Sequence, residues 1–190
     1  MVYGPLILAI GMLIASIFSG WEGHPRVERV EFRTGYGSVE RDKNQPTSFQ
    51  LTPLFPSAVV PLTRPMGPSW ARGRIEWSPE LFIVILSDPY VRPMLGIDPL
   101  QFRYQLEPIG RWAPYVLGTA GILYANIHRQ ETNSDLNFNI GIGVGTRYAL
   151  TDKMSLILEY RHVHISNAGI KNKNSGIDSD NFLIGISRKL

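Results

Sequence analysis

Apolar and polar residues alternate with a period of two along most of the chain after residue 27. The clearest run is 136–148, in which apolar residues at every second position stand opposite Asn, Gly and Arg. Successive side chains of a β-strand point to opposite faces, so this period predicts strands with one apolar and one polar face. Eight strands are predicted, at about residues 28–37, 48–56, 69–79, 99–107, 112–126, 136–148, 153–166 and 179–189.

Eight antiparallel strands of roughly ten residues suit a small closed barrel, in which closure leaves no strand edge exposed. The secondary structure of two segments is not assigned by this pattern. Leu81 to Leu86 is a continuous apolar run that fits either a strand end or a short helix, and Pro56 to Pro68 is rich in Pro and Gly and predicts no element.

The period of two does not by itself say which face looks inward, because a water-soluble barrel shows the same alternation. Charges of both signs on the polar face could pair across a narrow lumen, and aromatic residues near strand ends fit the two membrane interfaces. The fold class predicted is therefore all-β, an eight-stranded antiparallel transmembrane β-barrel. The charged residues are Arg29, Glu31, Arg33, Arg72, Arg74, Glu76, Arg103, Glu107, Arg147, Glu159 and Arg161. The aromatic residues are Tyr36, Trp77, Trp112, Tyr124, Tyr148 and Tyr160.

An apolar run without charge occupies residues 5–18 and ends in Ser19 and Gly20. It is shorter than the ~20 residues of a spanning helix and suits the apolar region of an export signal. We therefore expect a signal peptide at residues 1–20 and one barrel domain at 21–190, with an anchor helix or a buried core helix as the alternatives.

Composition excludes several classes of function. The chain has 19 Lys and Arg against 16 Asp and Glu, a net charge of +3, without the basic block that a nucleic-acid partner needs. With no Cys there is no disulfide framework, no thiolate nucleophile and no Cys-based zinc site.

Candidate chemistry lies in the last predicted hairpin, 153–190. His162, His164 and Ser166 share one strand face, and Asp178 and Asp180 share a face of the next strand. Because the two strands are antiparallel neighbours, hydroxyl, imidazole and carboxylate meet at one end of one face, as nucleophilic ester hydrolysis requires. Without further support such groups are more often turn-capping and surface residues. His162 is interpreted as an interfacial side chain and Tyr160 as part of the aromatic girdle, and a metal site of two His and two Asp is a minor alternative.

The motif His164-Ile165-Ser166-Asn167-Ala168-Gly169, followed by Asn174, Gly176 and Asp178, resembles the active-site hairpin of the lipid A 3-O-deacylase (PagL) family of outer-membrane β-barrels. Asp178 stands fourteen residues after His164, at the position where that family has Glu.

The resemblance implies a role for each residue of the motif. Ser166 would be the nucleophile, His164 the general base and then acid, and Asp178 the orienting carboxylate, with Asp180 as the alternative acid. Asn167 and the Gly169 backbone are the candidate oxyanion donors.

The expected function is removal of the 3-position hydroxyacyl chain from lipid A in the outer leaflet of the bacterial outer membrane. No cofactor or metal is implied, and the chain is expected to be a monomer or a homodimer. Two alternatives from other classes are a non-catalytic small outer-membrane barrel, structural or adhesive, and a soluble lipocalin-like carrier.

Overall fold

The computed structural model describes residues 26–39, 49–87, 91–127, 132–172 and 174–190. The predicted signal peptide lies outside the described residues. No helix in this part of the chain is long and apolar enough to cross a membrane. The elements are β1 (Arg29–Val39), β2 (Phe49–Pro61), a single 3₁₀ turn (Ser69–Ala71), β3 (Gly73–Trp77), β4 (Glu80–Ser87), β5 (Val91–Asp98), β6 (Phe102–Leu106), β7 (Trp112–Ile127), β8 (Ser134–Ala149), β9 (Met154–Ser166) and β10 (Ile177–Lys189).

All ten strands belong to one antiparallel sheet that closes on itself, since β1 pairs with both β10 and β2. β3 and β4 both pair with β2, and β5 and β6 both pair with β7. Each of these two pairs therefore fills a single place in the ring, which has eight places. The prediction of an eight-stranded antiparallel barrel is confirmed.

The third and fourth places in the ring differ from the sequence prediction. The strand predicted at 69–79 is a 3₁₀ turn followed by the short β3, while the open segment 81–86 is β4. β5 was not predicted, and 99–107 contains only β6. The interruptions fall at Pro79 and Pro99, whose nitrogens have no hydrogen to donate to the ladder.

Charged side chains lie inside the barrel wall and apolar side chains lie on its outer surface. Arg29, Arg33 and Arg161 are each 0% exposed, whereas Ile142 is 68% exposed and Phe182 is 62% exposed on the outer wall. A water-soluble barrel would have the reverse arrangement, so the outer wall is built to face lipid. The prediction of a transmembrane barrel is confirmed. The alternative of a soluble lipocalin-like carrier is wrong.

The two ends of the barrel have different interiors. We call the end where β1 begins and β10 ends the terminal rim, and the opposite end the distal rim. Toward the terminal rim the interior is charged, as predicted. Toward the distal rim it is an apolar core, which the polar-lumen prediction missed. The core residues are Val39, Leu51, Phe55, Phe82, Val84, Leu86, Met94, Leu123, Ala125, Val163, Ile165, Ile177 and Leu183.

Four buried charges form a closed ring across the lumen. Arg33 donates to Glu80 at 2.7 Å and to Glu159 at 3.0 Å. Arg161 donates to Glu159 at 2.6 Å and also to Glu80. Each carboxylate therefore bridges two guanidinium groups, and the ring ties β1, β4 and β9 together through the middle of the barrel.

Two charged residues predicted to face the lumen lie elsewhere. Arg72 and Glu107 pair with each other at 3.1 Å on the surface of the terminal rim, where their side chains are 51% and 50% exposed. Arg72 follows the 3₁₀ turn and is not part of a strand, so the period of two does not apply to it.

Candidate active site at the distal rim

Over most of the barrel polar side chains point inward and apolar side chains point outward, but near the distal rim β9 has the opposite arrangement. Lower in the strand, the charged Glu159 and Arg161 point inward. Nearer the rim, the apolar Val163 and Ile165 are buried in the core, while His164 and its neighbours in phase stand on the outer wall. Polar groups on a lipid-facing wall lower stability unless they find partners, so their presence indicates a functional site.

The pairing of β9 with β10 brings His164 directly opposite Asp178. The Nδ1–H of His164 donates to Asp178 Oδ1 at 2.7 Å. With Nδ1 holding the proton, Nε2 is the basic nitrogen and faces away from the carboxylate. The two side chains are 40% and 44% exposed, open to a substrate at the wall of the barrel.

Ser166 is the last residue of β9 and shares the outer face with His164. Residues two apart on a strand are separated by ~6.6 Å along it. The described residues show no hydrogen bond between the Ser166 hydroxyl and His164. The structure therefore places the hydroxyl and the imidazole on one face but does not bring them into contact.

Gly176 packs against the edge of the His164 ring. Its φ is +81°, and a Cβ placed on it would lie 2.5 Å from His164 Cε1 and 3.1 Å from Nε2. Only a residue without a side chain lets the β9–β10 loop pass this close to the imidazole.

The two candidate oxyanion donors are engaged within the loop. Asn167 is buried, and its side-chain amide donates to the carbonyl oxygens of Thr132 and Lys171. Its Oδ1 accepts from the Gly169 N–H at 2.9 Å, and its own N–H donates to Asn174 Oδ1 at 2.8 Å. These contacts hold the loop, and the oxyanion role of Asn167 and Gly169 stays a prediction.

Asp180, the alternative acid, contacts a different histidine. Tyr160 OH donates to Asp180 Oδ1 at 2.6 Å, and His162 Nδ1 lies 3.0 Å from the same oxygen. His162 Nε2 is 3.9 Å from Asp178 Oδ1. His162 therefore stands between the two carboxylates. The interfacial interpretation missed this position, which follows from the pairing of His162 with Asp180 and of His164 with Asp178.

The described residues contain no group of three or more His, Asp or Glu side chains that could hold a metal ion. On the terminal side of these polar residues the outer wall has an apolar groove of about 420 Å³ between β9 and β10. Leu158, Tyr160, Phe182 and Ile184 line it, and the Tyr160 and Phe182 rings lie 5.2 Å apart.

Comparison with known protein families identifies the family of this chain. The model of the family described as lipid A 3-O-deacylase (PagL) matches residues 85–187, which are more than half of the chain. The chain belongs to the PagL family. The match runs from the end of β4 almost to the end of β10 and includes all the predicted site residues, so the resemblance found in the sequence is confirmed.

Solved structures share the fold. The crystal structure of the outer membrane enzyme PagL matches with a TM-score of 0.62 and 21% identity, over 83% of this chain and 97% of that chain. The crystal structure of Neisserial surface protein A (NspA) matches with a TM-score of 0.60 and 14% identity, over 88% of this chain and 100% of that chain. Comparison with curated protein sequences gives no match. This PagL family member is an integral barrel of the bacterial outer membrane.

Proposed function

We propose that this chain is a serine esterase that removes the ester-linked 3-hydroxyacyl chain from the 3-position of lipid A. The observation that carries the proposal is the hydrogen-bonded His164–Asp178 pair on the lipid-facing wall. His164 is two residues from Ser166 on the same strand face, and the chain belongs to the PagL family. The outer-membrane location gives such an enzyme direct access to lipopolysaccharide.

In the proposed mechanism Ser166 Oγ attacks the ester carbonyl while His164 Nε2 takes the hydroxyl proton. Asp178 holds the Nδ1–H of His164 and stabilises the imidazolium that forms. His164 then gives the proton to the sugar oxygen that leaves, and the acyl chain remains on Ser166. A water molecule, deprotonated by His164, attacks the acyl carbonyl, and the fatty acid is released as the Ser166 hydroxyl recovers its proton.

For attack, the Ser166 and His164 side chains must come within hydrogen-bond distance, which side-chain rotation on the shared face can achieve. We place the distal rim at the outer leaflet, where lipid A resides. The apolar groove beside Tyr160 and Phe182 then extends along the outer wall from the site toward the middle of the bilayer, as the acyl chain of a lipid does. A substrate can meet Ser166 without leaving the bilayer.

Mass spectrometry of lipid A tests the proposal. Cells that produce the wild type should lose one hydroxyacyl chain from lipid A, whereas cells that produce Ser166→Ala or His164→Ala should not. Rates with purified protein should fall on the order of 10⁴-fold or more for either variant. Folding of each variant is verified by the heat-dependent gel mobility of barrels, and an unchanged lipid A spectrum with folded wild type would contradict the proposal.

A further inference from the structure

A second cavity lies at the terminal rim, at the opposite end of the barrel from Ser166. Its volume is about 660 Å³, and we call it the terminal-rim cavity. It is bounded by the ends of β3, β6, β7, β8, β9 and β10 at this rim and by nearby residues outside the strands. Its charged and amide-bearing lining residues are Glu28, Arg74, Gln105, Glu107, Arg111, Arg147 and Lys189.

The two carboxylates that line this cavity are already compensated. Glu28 Oε1 accepts from Arg74 at 2.6 Å and from Arg29 at 3.1 Å. Burial alone would raise the pKa of the Glu28 carboxyl, but the hydrogen bond from Arg74 and the charges of Arg74 and Arg29 lower it below its usual value. Glu107 pairs with Arg72.

Arg147 is a partly buried cation that faces the cavity and is bound by a neutral side chain. Its Nε and Nη2 donate to Gln105 Oε1 at 3.2 and 2.9 Å. Gln105 is itself fixed, because its Nε2 donates to the Pro114 and Leu106 carbonyls at 2.8 and 3.2 Å. No carboxylate of the described residues lies within 4 Å of the Arg147 guanidinium, which is therefore held in place by a neutral amide.

Arg111 and Lys189 add two more positive charges at the cavity mouth. Both are exposed, and neither forms an ion pair within the described ranges. Among the described residues the cavity thus has three cations that form no direct ion pair, although the Glu31 and Glu76 carboxylates deeper in the lumen attract Arg147 from a distance. The charges of Arg33, Glu80, Arg161 and Glu159, in contrast, are paired directly. One of the three is the Arg147 guanidinium, which Gln105 holds through Nε and Nη2. Its remaining N–H groups are suited to donate to the oxygens of a phosphate.

We propose that the terminal-rim cavity binds a phosphate-bearing anion, with Arg147 as the principal ligand and Arg111 and Lys189 as supporting charges. With the distal rim at the outer leaflet, this cavity opens toward the periplasm and the inner leaflet. The phosphate can come from a free anion or from a phospholipid headgroup. The site does not depend on the proposed esterase chemistry.

The test measures binding of inorganic phosphate to the full chain in non-ionic detergent micelles at constant ionic strength. Isothermal titration calorimetry gives the affinity, and ¹H–¹⁵N spectra of the arginine side chains report which guanidinium groups respond. We expect saturable binding by wild type and about tenfold weaker binding by Arg147→Gln, because charge-assisted hydrogen bonds are lost. The double variant Arg111→Gln/Lys189→Gln, which alters exposed residues only, should also bind about tenfold more weakly.

Arg64→Gln is the matched control, since Arg64 is an exposed arginine at the same rim that does not line the cavity. Its affinity for phosphate should equal that of wild type. Absence of saturable binding by wild type, or equal weakening in Arg64→Gln, would overturn the proposal. So would unchanged binding in both folded cavity variants.

A further arm identifies the source of the phosphate. Micelles doped with short-chain phosphatidylglycerol are compared with undoped micelles in the same titration. Displacement of phosphate by the lipid in wild type assigns the site to a phospholipid headgroup. Undisturbed phosphate binding assigns the site to a free anion.

Discussion

At the scale of single residues, the candidate site depends on a position that has no side chain. Gly176 combines a positive φ with a position so close to His164 that a Cβ there would lie 2.5 Å from Cε1 of the ring. The imidazole is held between this glycine and the Asp178 carboxylate, which fixes the direction of Nε2. The glycine of the sequence motif thereby acquires a physical explanation.

Gly176→Ala should lower kcat for lipid A deacylation by about 100-fold, because displacement of a catalytic group by about 1 Å has an effect of that size. The added methyl group would have to push the imidazole aside. Gly110→Ala is the control: Gly110 also has a positive φ, of +63°, but a Cβ there meets nothing within 4 Å. Equal kcat values for the two folded variants would show that the Gly176 contact does not position His164.

Asp178→Asn and Asp180→Asn should differ sharply in activity. Asp178 accepts from His164, so its amide variant should lose about 10³- to 10⁴-fold in kcat through the wrong imidazole tautomer. Asp180 contacts His162 and Tyr160, and its amide variant should retain activity within about tenfold. Rates measured on purified lipid A in micelles decide between them, and the reverse order would make Asp180 the third member of the triad.

At the scale of the elements, the β9–β10 hairpin is stiffened by one buried amide. Asn167 bonds to the loop at Gly169, Lys171 and Asn174 and also reaches across to Thr132, just before β8. Ser166 directly precedes this anchor, so the end of β9 cannot shift without breaking these contacts.

Asn167→Ala should therefore loosen the loop as well as lower activity. We expect faster proteolytic cleavage within residues 167–176 and a lower rate of deacylation, both measured in micelles. Asn172→Ala, which changes an exposed side chain of the same loop, should match wild type in both. Lost activity with unchanged proteolysis would favour the oxyanion role of Asn167 instead.

The hairpin was predictable because its alternation is regular and its motif is specific. β4 was not predictable, because its two faces are both apolar: Phe82 and Val84 pack in the distal core while Leu81 and Ile85 face outward. A period of two disappears when the interior is as apolar as the exterior. The apolar core toward the distal rim is thus the physical reason why β4 was missed. Pro79 and Pro99 explain why the predicted strands 69–79 and 99–107 are interrupted.

At the scale of the whole molecule, the barrel is held from inside by the ring of Arg33, Glu80, Arg161 and Glu159. Each charge in it is fully shielded from solvent and depends on partners from distant parts of the chain. Removing one member of such a set leaves buried charges without partners, which is more costly than never having placed them there.

Glu80→Ala should lower the free energy of unfolding by about 3–5 kcal/mol, because Arg33 and Arg161 both lose a buried carboxylate. Urea unfolding in lipid vesicles, followed by tryptophan fluorescence, measures the change. Glu107→Ala removes an exposed carboxylate and should cost less than about 1 kcal/mol. Similar losses in the two variants would mean that the lumen charges contribute no more than surface pairs.

The apolar core at the distal rim and the outward direction of His164 together predict how lipid A would reach the proposed site. Since the distal part of the interior is packed with side chains, we expect lipid A to reach the site by lateral diffusion in the plane of the membrane. Kinetics of this kind follow the mole fraction of lipid A among its neighbours and not its concentration in the bulk volume. Diluting the substrate with inert detergent at constant total lipid A should consequently slow turnover.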